Sequence, residues 1–307
     1  MIRMRLVLFT RMNVLIPFGI GQLIAVLMSL SSFASSSLSS LSFNFPALQT
    51  VPVYICLAFC LFKVKKLHHP WWAYFLVAVS DFFANYCIVR ALSLTSMTSA
   101  QLLNSSTVPF VVFLSFLLFR RKPSLYQILG LVVAVSGLGC VIYADILKRG
   151  VDQDNHWIGN CLSLTAAFLY AACNCLEEKV LVNGSGSCLE MLGMLGFWGT
   201  LLSSSQSLIS ESVDISQVTW EVFGYWSCFT LSMVSFYGLL SFFLSRWDAS
   251  LFNLSILTAS VYSAIIESIV TRYFQLGYWL YGLGFFLTLA GCAMYHGSVV
   301  LPSSLPK

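Results

Sequence analysis

RRKPSLYQILGLVVAVSGLGCVIY, residues 120–143, returns later in the chain as RYFQLGYWLYGLGFFLTLAGCAMY, residues 272–295. A constant offset of 152 residues aligns the two copies without a gap and gives seven identities in 24 positions. The identical pairs are Arg120 and Arg272, Tyr126 and Tyr278, Gly130 and Gly282, Leu131 and Leu283, Gly139 and Gly291, Cys140 and Cys292, and Tyr143 and Tyr295. Both copies lie among apolar segments. A duplicated bundle of spanning helices is typical of a carrier that opens alternately to the two faces of a membrane.

Composition places the whole chain in a membrane. Its 307 residues are 58% hydrophobic and 9% charged, whereas a soluble domain has about 25% charged residues. So few charged side chains cannot cover a globule with polar surface, and lipid must therefore cover most of it. A spanning helix needs about 20 mainly apolar residues. Breaks at charged or turn-rich points predict an all-α membrane protein with ten transmembrane helices, near residues 14–36, 46–63, 72–91, 97–119, 125–145, 157–176, 188–209, 222–244, 249–271 and 277–299.

The distribution of basic residues predicts how these helices are oriented. Twelve Lys and Arg residues fall on the side that holds the N-terminus, and four fall on the other side, namely Arg90, Lys148, Arg149 and Arg272. Basic residues in short loops favour the cytosolic face, so both termini are predicted to be cytosolic. The net charge of +4 comes mostly from the basic residues on the cytosolic side. This distribution favours a lipid bilayer over nucleic acid as the partner of the chain. Five helices per half put residues 1–150 and 151–307 in opposite orientation, so we expect two inverted five-helix repeats.

The third predicted helix carries the run DFFANY at residues 81–86. Asp81 and Asn85 are four residues apart and share one helix face, with Tyr86 beside them. Asp81 lies roughly 13 Å along the helix from its start, close to the middle of the bilayer, where ionisable groups are costly and often functional. Asp81 is therefore the best candidate for a group that exchanges a proton. An interhelical hydrogen bond that fixes packing is the competing interpretation.

The fourth and ninth helices are equivalent in the repeat, and both are unusually polar. The fourth carries Gln101 and Asn104 on one face of TSAQLLNSSTVP, and Pro109 frees backbone carbonyls, which is tolerated where a helix lines a cavity. The ninth carries the polar side chains of Asn253, Thr258 and Tyr262. Corresponding polar interruptions in two halves point to a substrate site. Close packing of small residues is the alternative.

The sixth helix adds a further polar face through Tyr170, Asn174 and Glu178 in LYAACNCLEEKV. Because its glutamates fall near the predicted cytosolic end, a gating or loop-pairing role competes with simple hydration there. In the seventh helix, Gly193 and Gly196 have the spacing of glycines that let two helices approach closely. We therefore assign these two glycines to packing.

The helices also lack features that other functions would need. No Lys or Arg lies deep in a predicted span, whereas binding of a phosphorylated cargo would require buried cationic side chains. A neutral or cationic solute is therefore favoured over a diphosphate sugar, unless Arg90 reaches inward. No ATP-binding loop is present, which favours secondary transport. An intramembrane enzyme would need a nucleophile with its base or a metal cluster, yet His296 is the only intramembrane histidine and no second ligand is apparent. We predict no catalytic residue, no cofactor and no metal site.

Five motifs follow one another along the chain: D-x-x-A-N-Y at 81–86, T-S-x-Q-L-L at 98–103, N-x-x-E-E at 174–178, E-x-L-G-M-x-G-x-x-G at 190–199 and N-L-S-x-L-T-A at 253–259. Together they resemble solute carrier family 35, and its F branch in particular, within the drug/metabolite transporter superfamily. The resemblance covers residues 14–298. It implies ten helices, two five-helix repeats, a central cavity and the carriage of small organic solutes. For the F branch it extends to nucleobase- or nucleoside-like compounds.

The chain departs from the pattern of that branch at two places. Asn104 and Ser260 stand where the resemblance implies an Asp after Q-L-L and after L-T-A. The loss of two intramembrane carboxylates leaves Asp81 as the main titratable candidate. It also supports a second hypothesis, in which the chain is a non-transporting membrane scaffold or receptor descended from a carrier. The sequence leaves open the cargo, the coupling ion, the host membrane and whether the chain forms a homodimer.

Overall fold

The computed structural model of the chain describes residues 2–95, 97–119, 124–149, 156–182, 187–211, 218–247 and 249–271, with scattered positions between 279 and 294. Side chains of the first helix are described from Ile16 onward. Several sequence-based predictions fall outside the described residues, namely those on Arg120, Arg272, Tyr278, Cys292, Tyr295, His296 and the boundary at 150–151.

Every regular element in the described residues is a helix. In chain order these helices are α1 Ile2–Ser40, α2 Pro46–Ala58 with a 3₁₀ extension Phe59–Lys63, α3 Trp71–Leu92, α4 Met97–Asn104, α5 Thr107–Phe119, α6 Leu125–Arg149, α7 His156–Val182, α8 Cys188–Ser210, α9 Trp220–Leu244, α10 Ala249–Ser255, a 3₁₀ turn Ile256–Thr258 and α11 Ala259–Thr271. Five stretches of the described chain are long and apolar enough to cross a membrane: Ile16–Ser40, Pro46–Lys63, Trp71–Leu92, Trp157–Leu181 and Trp220–Leu244. The prediction of an all-α, multi-pass membrane protein is confirmed at this level.

The fourth predicted span is broken into two helices. Instead of one kinked helix over 97–119, α4 ends at Asn104 and α5 begins at Thr107. Ser106 N–H donates to the Leu103 carbonyl at 3.0 Å, which tightens the last turn of α4. Pro109 then sits in the first turn of α5, where its missing N–H is not needed by the helix. The break therefore precedes the proline by a turn.

The ninth predicted span is interrupted in the same way, although it contains no proline. α10 and α11 are joined by the 3₁₀ turn at 256–258. α5 and α11 both start and end 152 residues apart, α4 and α10 begin 152 residues apart, and α3 and α9 end 152 residues apart. Across 97–119 and 249–271 this alignment contains one identical pair, Leu102 and Leu254. The offset of the repeated segment thus also relates helix boundaries where the sequences have diverged.

The packing of α1 resembles the packing of α7. α1 lies against α9 and α11, and α7 lies against α3 and α5, while α2 and α8 pack on each other. One large cluster of buried apolar residues runs through these contacts. Near the end of the chain, buried Gly291 approaches α6 so closely that a Cβ there would lie 2.5 Å from the Gly130 carbonyl oxygen. The two copies of the repeated segment are therefore in contact.

Glycines of α8 explain the close packing of α8 on α2. A Cβ at Gly196 would lie 2.2 Å from the Ala58 backbone nitrogen, and a Cβ at Gly199 would lie 2.3 Å from the Tyr54 ring. Gly193 approaches Leu61 in the same manner. The prediction that Gly193 and Gly196 serve packing is confirmed. This contact also fixes the position of Tyr54, which belongs to the candidate site.

Candidate functional site

A buried carboxylate on α3 lies at the centre of a polar cluster. Asp81 is 2% exposed and accepts hydrogen bonds from three side chains on three helices. The Tyr54 hydroxyl of α2 donates to Oδ2 at 2.7 Å, and the Tyr237 hydroxyl of α9 lies 2.8 Å from both carboxylate oxygens. Asn85 Nδ2, one turn along α3, lies 3.1 Å from Oδ2. Such a set of donors satisfies a buried carboxylate that would otherwise be costly.

Asn85 extends the cluster to a fourth helix. Its Nδ2 donates to the Tyr237 hydroxyl at 2.7 Å, and its Oδ1 accepts a bond from the Tyr170 hydroxyl of α7 at 2.8 Å. The shared face predicted for Asp81 and Asn85 therefore exists. Both interpretations of Asp81 have structural support, because the carboxylate joins helices and also lines a cavity.

That cavity lies between the helices and contains about 840 Å³ of empty space, part of which is open to solvent. α1, α3, α4, α5, α7, α9, α10 and the 3₁₀ turn at 256–258 contribute side chains to its wall. Among the predicted site residues, the wall contains Asp81, Asn85, Gln101, Asn104, Tyr170, Asn174 and Asn253.

The interruption between α4 and α5 supplies much of the polar wall. Gln101 Nε2 donates to the Ser32 hydroxyl of α1, and the Ser105 hydroxyl donates to the Gln101 carbonyl at 2.9 Å. Asn104 is 3% exposed, and its Oδ1 has no hydrogen-bond partner among the described residues. Asn104 therefore brings an unsatisfied acceptor to the cavity.

One end of the cavity is crossed by polar contacts between α7, α9 and α10. Asn174 Nδ2 donates to Asn253 Oδ1 at 3.0 Å, and the Ala249 backbone N–H donates to Glu178 Oε2 at 2.9 Å. The neighbouring Glu177 accepts from the Ser241 hydroxyl at 2.6 Å. Glu177 and Glu178 are each 1% exposed, so the hydrated alternative considered for Glu178 is wrong. Glu178 instead ties α7 to the start of α10.

The opposite end of the cavity leads into a second, smaller pocket. Ser35 and Val89 line both spaces. The smaller pocket holds about 190 Å³ of empty space and is also lined by Gln49, Asn44 and Arg90. No Lys, Arg or His is found among the described residues that line the larger cavity. The described part of the chain likewise contains no group of three or more metal-ligating side chains.

Four of the predicted site residues lie away from the cavity wall. The Thr258 and Tyr262 hydroxyls both donate to Gln22 Oε1 of α1, at 2.8 and 2.9 Å. Tyr86 is half-buried, with its ring 6.3 Å from that of Phe82, and Glu178 lies at the crossed end. Substrate-binding or coupling roles for these four stay predictions.

Comparison with known proteins places this arrangement in a family. The sequence profile of solute carrier family 35 matches residues 10–297, which is nearly the whole chain. This chain belongs to solute carrier family 35. Mouse solute carrier family 35 member F2 is 31% identical to it over 310 residues, covering 95% of this chain and 81% of the mouse protein. The family and its F branch, suggested by five short motifs, are thus confirmed, and the family indicates a solute transporter in a lipid bilayer.

Further relatives of this solute carrier family 35 chain agree. The Xenopus tropicalis member F2 is 31% identical over 255 residues, covering 78% of this chain and 63% of that protein. An uncharacterized family 35 member of Schizosaccharomyces pombe is 29% identical, covering 92% of this chain and 57% of that protein. One solved crystal structure superposes with a TM-score of 0.71 at 16% identity, over 91% of this chain and 95% of the other. That likeness concerns the fold alone.

Sequence reasoning missed two members of the polar cluster in this family 35 chain. Tyr54 and Tyr237 are each buried and bonded to Asp81. Tyr237 could have been found, because it lies 152 residues after Asn85, the offset of the repeated segment. Tyr54 gave a weaker signal, as one tyrosine in an apolar helix. Ser260, the second departure from the branch pattern, is buried and donates to the Leu257 carbonyl of its own turn at 2.7 Å.

Proposed function

We propose that this chain is a secondary transporter of a small organic solute that works by alternating access. The observation that carries the proposal is the cavity of about 840 Å³ with polar side chains from two interrupted spans. Interrupted helices in corresponding positions of two halves are typical of substrate sites in secondary transporters. Membership of a solute carrier family supports the same function.

The proposed architecture is two inverted repeats of five helices, residues 1–150 and 151–307. Two observations support it: the 152-residue offset between helix boundaries, and the matched packing of α1 on α9 and of α7 on α3. Each half begins with a helix that packs on the other half. Rocking of one half against the other would then open the cavity alternately at its two ends.

The positive-inside pattern assigns both termini to the cytosol in this proposal. The end crossed by Glu178 and Ala249 then faces the cytosol, and the end that leads to Arg90 faces the opposite compartment. The structure would correspond to a state closed on the cytosolic side.

Labelling with a membrane-impermeant maleimide, applied to sealed vesicles of known sidedness, tests the proposed orientation. Ser42→Cys and Lys65→Cys, in a background whose exposed native cysteines are serines, should be labelled from opposite sides. Labelling of both from one side would refute the orientation.

The proposed cargo is neutral or cationic, with nucleobase- or nucleoside-like compounds among the candidates. The absence of Lys, Arg and His from the described cavity wall supports this, because a phosphorylated cargo would want cationic partners. A non-transporting scaffold or receptor is the second candidate, and it is favoured by Asn104 and Ser260 in place of the Asp residues that the branch resemblance implies.

Reconstitution of the purified protein separates these candidates. Thermal unfolding would first be measured against nucleobases, nucleosides, nucleotide sugars and organic cations. Any stabilising compound would then be tested for counterflow in proteoliposomes. Stabilisation with counterflow supports a carrier, and stabilisation without counterflow supports a receptor. If no compound gives either stabilisation or counterflow, the scaffold is supported.

The proposed proton-coupling role of Asp81 needs a separate variant. Asp81→Asn should abolish accumulation driven by a proton gradient while counterflow, which needs no net proton movement, is retained. Glu221→Gln, an exposed carboxylate in the first turn of α9, is the matched control and should retain both activities. Equal loss of both activities in Asp81→Asn, with a lower melting temperature, would assign Asp81 to structure alone.

A further inference from the structure

Most polar side chains that face the cavity already have partners within the protein. Asp81 accepts bonds from Tyr54, Tyr237 and Asn85. The Gln101 amide donates to Ser32, and Asn174 and Asn253 bond to each other. Ser31, Ser105 and Thr107 each donate to a backbone carbonyl of a nearby residue. These bonds hold the groups in place on the wall.

Two buried atoms on the wall lack a partner among the described residues. They are Asn104 Oδ1 on α4 and Ser35 Oγ on α1. Asn104 is 3% exposed and Ser35 is 2% exposed, so bulk water does not compensate either atom. A buried acceptor without a donor is unfavourable, and such groups in native proteins call for an explanation. A ligand that donates a hydrogen bond to Asn104 would supply the missing partner.

Some wall residues that are 152 positions apart differ in polarity. Three wall positions of the first half have apolar counterparts 152 residues later: Asp81 with Met233, Asn104 with Ile256, and Ser105 with Leu257. The later part of the chain contributes the aromatic rings of Phe229, Phe236 and Phe252 to the wall, beside the polar Asn174 and Asn253. The cavity therefore offers both polar groups and aromatic rings to a ligand.

The same wall residues limit which charge a cargo can carry. A cation would need a carboxylate with a free oxygen, yet the Asp81 oxygens receive donors from three side chains. An anion would need a cationic partner, and none is found on the described wall of this cavity. Both charged classes would therefore lose hydration without an ion pair to replace it.

We infer that the cargo is an uncharged, flat amphipathic molecule whose N–H or O–H group donates to Asn104 Oδ1, with Ser35 as a second polar contact and the rings of α9 and α10 against its apolar face. This inference rests on the proposed transport function and adds the substrate class and a contact residue, Ser35, that the sequence motifs do not contain. An aromatic or heteroaromatic amide has this combination of a donor edge and an apolar face.

Matched pairs of probes test the donor requirement on the purified full-length protein. Uracil would be compared with 1,3-dimethyluracil, and benzamide with N,N-dimethylbenzamide, by thermal unfolding and by equilibrium binding. Each pair keeps the ring and removes the N–H donors. At least one donor-bearing probe is expected to bind, and its methylated counterpart should bind about tenfold more weakly or not at all, which corresponds to one lost hydrogen bond.

Variants assign the effect to the named side chains. Asn104→Leu should remove the preference for the donor-bearing probe, and Ser35→Ala should weaken binding of that probe. Asn160→Leu on α7 and Ser205→Ala on α8 are the controls; neither residue lines the cavity, and both should bind the probe like the wild type. Equal binding of methylated and unmethylated probes, or an unchanged preference in Asn104→Leu, would overturn the inference.

A ligand-free measurement gives a second, independent readout. Because Asn104 Oδ1 lacks a partner, Asn104→Leu should raise the melting temperature of the empty protein, whereas loss of a structural hydrogen bond would lower it. A lower melting temperature would count against the inference. If no donor-bearing probe binds at all, the substrate class is wrong. Counterflow with any other stabilising compound would still support the proposed transport function, so the two failures are distinguishable.

Discussion

Asn85 and Tyr237 lie 152 residues apart in the sequence and are joined directly, with Asn85 Nδ2 donating to the Tyr237 hydroxyl at 2.7 Å. The same offset relates the two copies of the repeated segment and the boundaries of α5 and α11. The Asp81 cluster therefore joins α3 to a helix whose end lies at that offset from its own.

The hydrogen bonds of this cluster join helices from distant parts of the chain. Tyr54 lies on α2, Tyr170 on α7 and Tyr237 on α9. The hydrogen bonds of Asp81 and Asn85 thus join α3 to these three helices beside the cavity. Any movement of α3 relative to α7 and α9 must stretch or exchange these bonds.

Tyr237→Phe removes one donor to Asp81 without changing the ring. We expect a destabilisation of about 1–3 kcal/mol, the usual effect of leaving a buried acceptor short of a partner. Tyr225→Phe on the same helix is the control, because the described structure shows a ring contact to Phe33 but no hydrogen bond for Tyr225. Thermal unfolding in detergent would measure both. Equal melting temperatures for the two variants would contradict the assigned role of Tyr237.

Gly196→Ala should destabilise the packing of α8 on α2. Its Cβ would meet backbone atoms of Leu57 and Ala58 at 2.6 and 2.2 Å, and backbone cannot move aside as a flexible side chain can. Overpacking of this kind costs about 1–3 kcal/mol or more. The measurement is the melting temperature.

Gly238→Ala is the control for Gly196→Ala, with the opposite sign expected. Gly238 lies inside α9, and no atom lies within 4 Å of the site where its Cβ would be. Alanine there should stabilise the helix by about 0.5–1 kcal/mol. The same direction of change in both variants would show that the close contact of α8 with α2 is misassigned.

Glu211→Ala should loosen the start of α2. The two Glu211 carboxylate oxygens accept the backbone N–H groups of Ala47 and Leu48 at 2.8 and 2.9 Å, which otherwise have no partner in the first turn of a helix. Loss of such a cap costs about 0.5–2 kcal/mol. Glu221→Ala, at an exposed position in the first turn of α9, should change the melting temperature much less. Hydrogen exchange of the Ala47 amide, faster in Glu211→Ala, would report the loss directly.

Glu190→Ala should be more damaging than His68→Ala, although the two side chains are in direct contact, with Nδ1 of His68 2.7 Å from Oε2 of Glu190. Glu190 is 1% exposed and also accepts the His68 backbone N–H and the Tyr74 hydroxyl. Its removal leaves several donors unpaired, at about 1–3 kcal/mol for each buried one. The His68 side chain is 40% exposed, so its removal should cost at most about 1 kcal/mol. Comparable melting temperatures for the two variants would contradict this order.

Composition, the repeated segment and short motifs are enough to indicate the class of the protein and much of its helix arrangement. Low charge and long apolar runs require lipid as solvent, because the chain has too few polar residues to face water. The repeated segment gave the offset that later matched helix boundaries. The spacing of Asp81 and Asn85 fixed their shared face, because helix geometry is local. The five motifs sufficed to indicate the family.

Which polar groups are in contact depends on the packing of the helices and could not be read from the sequence. Tyr54 and Tyr237 are 27 and 156 residues away from Asp81, and no local pattern pairs them with it. The same holds for Asn104. The sequence shows that this residue is polar, but not that its Oδ1 lacks a hydrogen-bond partner. Whether a buried polar atom is satisfied depends on which helices pack beside it, and packing between distant segments is a property of the whole bundle rather than of any stretch of the chain.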